Sequence, residues 1–424
     1  MNSKLSGKWQ PRFNLVFLII TTAILTLDAA ETLSVIPDSA QGLGIVGGRF
    51  ANLTDASAVR VSPANILEIQ STELLINTAI WNGNVSLDST NGASVKLDQP
   101  WVTPASMYLV VPIIPGKLTF GMGLSTPFGL ATVYPKDMDV RLRYVLPYQS
   151  SLLAVDFTPA IAFKISDTLS FAAGLDVIYS ELRFKQAYPW SAAVPGSADG
   201  EIDLHGKGWG IGAYVGVNWQ LTKGQRLAFV GRLPVKIRYS GNFHSQGMPS
   251  ALGAAGYTEE SDFHSDMTFP GSLAAGYGID LTDRLTLGFD FQWSANSSHD
   301  DIPLNIGQNQ SLLPRKTAAL GWKNSIDLGT GLTYTLNDHW KLRAGYLFSE
   351  NSQPALNYTP SSAANDRHVF SLGIGWKGKN RAIDLAYAFV YNPTRAISGA
   401  VQPAFNGNYT HQWNVLSLSI TQIF

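Results

Sequence analysis

Ile326-Asp-Leu-Gly-Thr-Gly-Leu-Thr-Tyr-Thr-Leu336 decides the fold. In an extended chain Ile326, Leu328, Leu332, Tyr334 and Leu336 share one face, while Asp327, Gly329, Gly331, Thr333 and Thr335 share the other. One side meets something oily, the other something small and polar. The same period of two runs through Trp340 to Phe348, Ile383 to Tyr391, Leu285 to Trp293 and Trp209 to Leu221. A soluble sandwich also alternates, so the pattern needs a second argument.

The connections supply it. Short turn-like stretches lie at 112–116, 166–168, 222–225, 282–283, 337–338 and 378–380, rich in Pro, Gly, Asn, Asp and Thr. Between them lie long polar stretches at 83–94, 126–149, 188–201, 244–261, 296–321, 350–365 and 392–409. Strict alternation of short and long connections is the habit of an outer-membrane barrel, and it gives about 14 antiparallel strands. The predicted strands run about 10 residues, enough to cross a bilayer at a tilt. The expected fold is therefore all-β, a transmembrane antiparallel barrel over 72–424.

Composition agrees. Of 424 residues 45% are apolar, yet only 14% are charged, against the roughly 25% of an ordinary soluble protein. A net charge of −1 argues against a nucleic-acid partner, and the absence of cysteine excludes disulfides and thiolate metal sites. After residue 30 no run of 18 apolar residues offers a membrane helix. No metal-ligand spacing and no cofactor motif appears, so neither a metal nor a cofactor is expected.

The N-terminus reads separately. Lys4, Lys8 and Arg12 precede the apolar stretch Phe13 to Leu27, and Ala29 and Ala30 follow, the layout of a secretory signal over residues 1–30. Residues 31–71 lack a convincing strand but carry Leu43, Val46, Phe50, Leu53 and Ile66, which need burial, and Gly42, Gly44, Gly47 and Gly48, which permit close packing. A 14-strand lumen is too wide for side chains alone to fill, so this segment is expected inside it as a hatch or plug. The terminal Phe424, behind Leu416, Leu418 and Ile420, fits a signal for the barrel assembly machinery.

These residues carry a specific likeness. Asp38-Ser-Ala-Gln-Gly-Leu-Gly44, Gly47-Gly48, Asp55-Ala-Ser57, Ser62-Pro-Ala-Asn65, Thr126-Pro-Phe-Gly-Leu130, Arg143-Tyr144, Gly208-Trp-Gly210, Phe269-Pro270, Trp322-Lys323, Leu342-Arg-Ala-Gly-Tyr346 and Asp366-Arg-His368 follow one another along the chain. In that order the chain resembles the FadL/TodX family of outer-membrane transporters for long-chain fatty acids and other hydrophobic compounds. Ser62 stands where the family has Asn. The resemblance implies a 14-strand barrel, passive uptake of a hydrophobic small molecule, and a hatch whose gating residues here are Ser39, Gly42, Leu43, Gly44, Gly47, Gly48, Phe50, Pro63 and Asn65.

For a fatty acid the expected contacts are apolar side chains, Phe128, Leu130 and Trp190, with a cation for the carboxylate from Arg143, Arg183 or Lys185. Arg183 and Lys185 also read as charges at the bilayer interface, solvated or paired with lipopolysaccharide. A monomer in the outer membrane is expected. The competing readings are a non-transport barrel acting as receptor or adhesin, which needs no Gly-rich apolar insert, and a barrel lipase. For the latter Asp366-Arg-His368 and Ser298-His-Asp-Asp301 are the only tempting clusters, and neither supplies a nucleophile elbow or an ordered triad.

Overall fold

The computed structural model describes residues 39–298, 302–313 and 317–424. The signal expected over residues 1–30 lies outside them. Fourteen antiparallel strands form one closed wall. They are β1 (Glu73–Ser89), β2 (Ser94–Lys96, Trp101–Val102 and Ala105–Ile114), β3 (Leu118–Val133), β4 (Gln149–Lys164), β5 (Leu169–Tyr188), β6 (Gly200–Thr222) and β7 (Gln225–Arg232 and Val235–Gln246). The wall continues with β8 (Glu260–Phe269 and Ser272–Thr282), β9 (Leu285–Ser294), β10 (Ser325–Thr335), β11 (Trp340–Ser349), β12 (Arg367–Lys377), β13 (Arg381–Ile397) and β14 (Gly407–Ile423).

Closure comes from β14 pairing with β1, from Glu73 opposite Ile423 to Ser89 opposite Gly407. Among the described residues this wall has no open edge, which is what hydrocarbon demands of backbone N–H and C=O groups. The oily face of each alternating strand points outward: Leu328, Leu342, Leu385, Ile211 and Phe289 are all exposed large hydrophobics. An exposed leucine band is costly in water and ordinary in lipid.

The polar stretches at 83–94, 126–149 and 392–409 are only partly loop. β1 stays paired to Ser89, β3 to Val133 and β13 to Ile397. Polar strand ends project past the apolar band, where hydrogen bonding to the neighbour holds them extended.

Two strands break at prolines. β7 is interrupted at Leu233-Pro234 and β8 at Pro270-Gly271, because proline has no N–H for the ladder. In β3 the register slips between Ser125 and Phe128, around Thr126-Pro127. A one-residue slip turns every later side chain to the other face.

Residues 39–69 lie against the inner wall. Helices α1 (Ala40–Gly44), α2 (Arg49–Asn52) and α3 (Ala58–Val61) and the 3₁₀ turn Pro63–Glu68 make up the segment. Ser39 caps α1 by accepting a hydrogen bond from the Gly42 amide. The apolar residues Leu53, Val59 and Ile66 pack among Tyr108, Ala160, Ala162, Ala172, Tyr214 and Ala228 of the wall.

Candidate functional site

Glycine decides how closely the N-terminal segment approaches the wall. A Cβ on Gly47 would overlap the Tyr346 carbonyl oxygen and the Thr330 amide and lie 2.7 Å from the Gly329 Cα. A Cβ on Gly48 would lie 2.8 Å from the Gly331 nitrogen, and one on Gly44 would lie 3.3 Å from the Gly373 Cα. Backbone meets backbone at Gly47 and Gly48, and only glycine in the segment permits it.

Polar contacts tie the same segment to the wall. The amides of Arg49 and Phe50 donate to the two Asp290 carboxylate oxygens at 2.6 and 3.2 Å. Arg226 donates from Nε to the Ala51 carbonyl at 3.1 Å and to Asn52 Oδ1 at 3.0 Å. Tyr214 donates its hydroxyl to the Val59 carbonyl at 2.9 Å. Asn65 is the joint between turn and wall: its Nδ2 donates to the Phe50 and Leu53 carbonyls, and its Oδ1 accepts from Asn218 at 2.8 Å and from Ser62. Asn65→Ala is expected to loosen this segment, each buried partner left unsatisfied costing roughly 1–3 kcal/mol. Faster tryptic cleavage at Arg49 and Arg60 in folded barrels checks it; unchanged cleavage would refute the anchoring role.

Above this segment is a cavity of about 130 Å³. Four arginines border it, Arg49 and Arg60 from the segment and Arg232 and Arg367 from the wall, against two carboxylates, Asp327 and Glu350. Apolar sides come from Phe50, Val61, Phe128, Val230 and Ala274, and Asn296, Trp322 and Ser352 close the end toward the long loops. Phe128 stacks on Phe269, with ring centroids 4.5 Å apart and planes within 9°. Both rings enter the lumen beside a proline-associated break, Thr126-Pro127 in β3 and Pro270 in β8.

The arginines are held from behind. Arg232 is ion-paired with Asp176, and its Nη2 donates to the Arg60 carbonyl at 2.8 Å. The Arg60 guanidinium lies 3.9 Å from Asp156. Arg367 donates to Ser349 at 3.1 Å.

The expected contact residues divide. Phe128 borders the cavity. Leu130 pairs through its backbone with Leu152, and its side chain lies outside the described residues. Trp190 is buried in a loop cluster, donating Nε1 to the Gln246 carbonyl at 3.1 Å. Arg143 ends a short loop helix, Val140–Arg143, away from the cavity. In that helix Arg141 hydrogen-bonds Asp139 and holds its carboxyl well below the usual range.

Arg183 and Lys185 share the outward face of β5 with Tyr179, which packs on exposed Trp209. Arg183 pairs with Asp203 at 2.6 Å, and Lys185 lies 3.4 Å from Asp203 and 3.6 Å from Glu201. Strand alternation sets them outside the lumen, on the face described above as interfacial. It also splits Asp366-Arg-His368: Arg367 turns inward, while His368 turns outward and accepts or donates at 2.9 Å with the Tyr346 hydroxyl. Ser298 is described, but 299–301 are not.

Sequence reasoning missed Arg49, Arg60 and Arg232, and took Arg367 only as part of the Asp366-Arg-His368 cluster. One signal could have found their partners: Asp156, Asp176 and Asp290 are charges on the small, inward face of membrane strands. An ionisable group there needs a partner across the lumen.

A closed β-wall with an exposed apolar band and a largely filled interior defines an outer-membrane barrel. The family described as outer membrane protein transport protein (OMPP1/FadL/TodX) matches residues 22–424, and the chain belongs to it. Its members transport hydrophobic compounds across the outer membrane. A long-chain fatty acid transport protein of Salmonella typhi is 23% identical over 397 residues, covering 85% of this chain and 87% of that protein. A Pseudomonas aeruginosa FadL homologue superposes with a TM-score of 0.80 at 18% identity, over 93% of this chain and 99% of that one. The Ralstonia pickettii toluene transporter TbuX gives 0.68 at 17% identity, over 92% and 99%.

Proposed function

We propose that the chain takes up long-chain fatty acids, binding the carboxylate in the arginine-lined cavity while the acyl chain runs up past Phe128, Phe269 and Trp322. The observation that carries this reading is the convergence of four arginines on one luminal cavity, two of them with a wall carboxylate, Asp156 or Asp176, on the side away from it. A neutral hydrocarbon gains nothing from buried guanidinium groups, whereas an acid replaces its lost hydration with charge-assisted hydrogen bonds. At about 130 Å³ the space is below the roughly 300 Å³ of a typical ligand pocket, so it suits a head group and the first few carbons.

In this reading residues 31–71 act as a hatch below the cavity, following removal of residues 1–30, and the barrel works as a monomer. Assembly uses the β14 end at Phe424, and the outward pairs around Arg183 and Lys185 face lipopolysaccharide. Ligand leaves by rearrangement of the hatch or of the wall.

Binding to the purified protein tests the proposal. Palmitate is expected to bind saturably and hexadecanol more weakly. Arg49→Met keeps the backbone amide that Asp290 uses but removes a cation, and should weaken palmitate about tenfold, the factor that 1.4 kcal/mol makes in affinity, with hexadecanol unchanged. Toluene or hexadecanol binding as well as palmitate would favour a neutral-hydrocarbon channel instead.

A further inference from the structure

We propose that Lys207 and Arg238, on the outer wall of the barrel, hold one phosphate of a lipid A headgroup in the outer leaflet. The site lies in the sector read above as facing lipopolysaccharide and so rests on that reading; it owes nothing to what the lumen carries.

Height comes first. On the outward face of β6, Trp209 and Trp219 are both exposed and stand ten positions apart. At about 3.3 Å per residue and a tilt of about 40°, that separation spans roughly 25 Å, the height of a barrel's apolar band. Aromatic rings girdle that band, so the two tryptophans mark its two rims. Trp209 is the outer one, because β6 is entered through the long connection after Tyr188 and left through the short turn before Gln225.

Lys207 stands one step above Trp209 on the same face, and Ser240 of β7 pairs opposite it. Arg238 stands one step below Ser240, level with Trp209 when the register is continued. Both cations are exposed, and among the described residues neither makes a hydrogen bond or an ion pair. Diagonal cross-strand neighbours lie about 7–8 Å apart at the backbone, so two long side chains can converge on one anion.

The nearby carboxylates are already taken. Glu181, opposite Lys207 on β5, meets His205 at 2.6 Å and accepts from the Tyr179 hydroxyl at 3.3 Å. Asp266, opposite Arg238 on β8, is paired with Lys236 at 2.8 Å. Arg183 and Lys185, higher on β5, are paired with Asp203 and Glu201. The pattern is confined to one side: toward the outer rim of β9 to β14, the outward row Phe291, Leu328, Phe348, His368, Tyr391 and Gln412 holds neither lysine nor arginine.

At the rim of the hydrocarbon an unpaired cation is partly desolvated. A phosphate there supplies, through charge-assisted hydrogen bonds, what water no longer does. The Arg238 guanidinium offers a fork that fits two phosphate oxygens, Lys207 adds a point charge, and the Ser240 hydroxyl between them is a further donor. In the outer leaflet the phosphates at that depth are those of lipid A.

Native mass spectrometry of the purified protein in detergent, with added bisphosphorylated lipid A, tests the site. One lipid A should be retained saturably, and the same lipid stripped of its phosphates should not. Lys207→Gln and Arg238→Gln should each weaken retention about tenfold, with palmitate binding and heat-modifiable mobility on gels as in the parent. Equal retention of the phosphorylated and stripped lipids overturns the proposal. So does displacement by equimolar inorganic phosphate, the mark of a free-anion site. Parent-like retention in the Lys207→Gln, Arg238→Gln double variant overturns it as well; if Arg183→Gln then weakens retention instead, lipopolysaccharide still faces this sector and only the site fails. No retention of lipid A by the parent removes that reading and this site together. If the double variant fails to fold, the two lipids on the parent protein and the single variants decide.

Discussion

Gly47→Val is expected to drive the N-terminal segment off the wall while the barrel still closes. The atoms a side chain would strike at Gly47 belong to the backbones of β10 and β11, where Thr330 and Tyr346 are paired in register. Flexible side chains can yield to an added methyl group; a ladder inside a closed wall cannot. Overpacking ordinarily costs 1–3 kcal/mol, and this contact lies at or beyond the upper end because nothing nearby can rotate away. The neighbours repeat the constraint, since a Cβ on Gly345 would lie 2.6 Å from the Val46 nitrogen and one on Gly331 would lie 2.7 Å from the Ile45 carbonyl oxygen. The segment would have to withdraw from β10, β11 and β12 together.

The measurement is ion conductance in planar bilayers beside tryptic cleavage at Arg49 and Arg60. Both should rise sharply, while heat-modifiable mobility on gels, the mark of a folded barrel, stays as in the parent. Gly253→Val is the control: it sits in a loop helix with nothing within 4 Å of an added Cβ, and should change neither reading. Parent-like conductance and cleavage in Gly47→Val would show that the close approach does not hold the segment.

The barrel itself was legible in the chain because lipid imposes a period of two that a reader can follow strand by strand. Leu328 opposite Gly329, or Leu385 opposite Asp384, reports its face without any knowledge of its neighbours. Loop lengths then gave the strand number. What stayed hidden needs two strands at once. Thr126-Pro-Phe and Phe269-Pro270 stand out in sequence, but nothing in either says that a register slip or proline break brings Phe128 onto Phe269 across the lumen. Arg183 and Lys185 illustrate the converse: as cations near a strand end they suit a carboxylate, and alternation sends them outward to Asp203 and Glu201. Arg60 was obscured differently, as one charge in a small-residue segment whose partner, Asp156, lies on another element.

Leu372→Arg is expected to cost about 2–4 kcal/mol of folding free energy, the penalty for arginine near the bilayer midplane on a barrel's lipid face. Leu372 is 65% exposed, which in a water-soluble protein marks a tolerant site. Its surroundings say otherwise. On the same face of β12 it is flanked by Phe370 and Ile374, and beyond them by His368, against the Tyr346 ring, and Trp376, opposite Trp340. Those aromatic residues mark the two interfaces, which sets Leu372 midway between them. Leu356 supplies the comparison. It is 57% exposed, but it sits on a 3₁₀ turn in a long loop, with its carbonyl accepting from the Val401 amide. Leu356→Arg should fall within the roughly ±0.5 kcal/mol of an ordinary surface change, because water solvates the new charge. Urea unfolding in lipid vesicles measures both. Equal costs would mean that the solvent at the two leucines is the same and that the apolar band does not face lipid. Unequal costs at nearly equal exposure can only come from the medium, because area alone would price both substitutions alike.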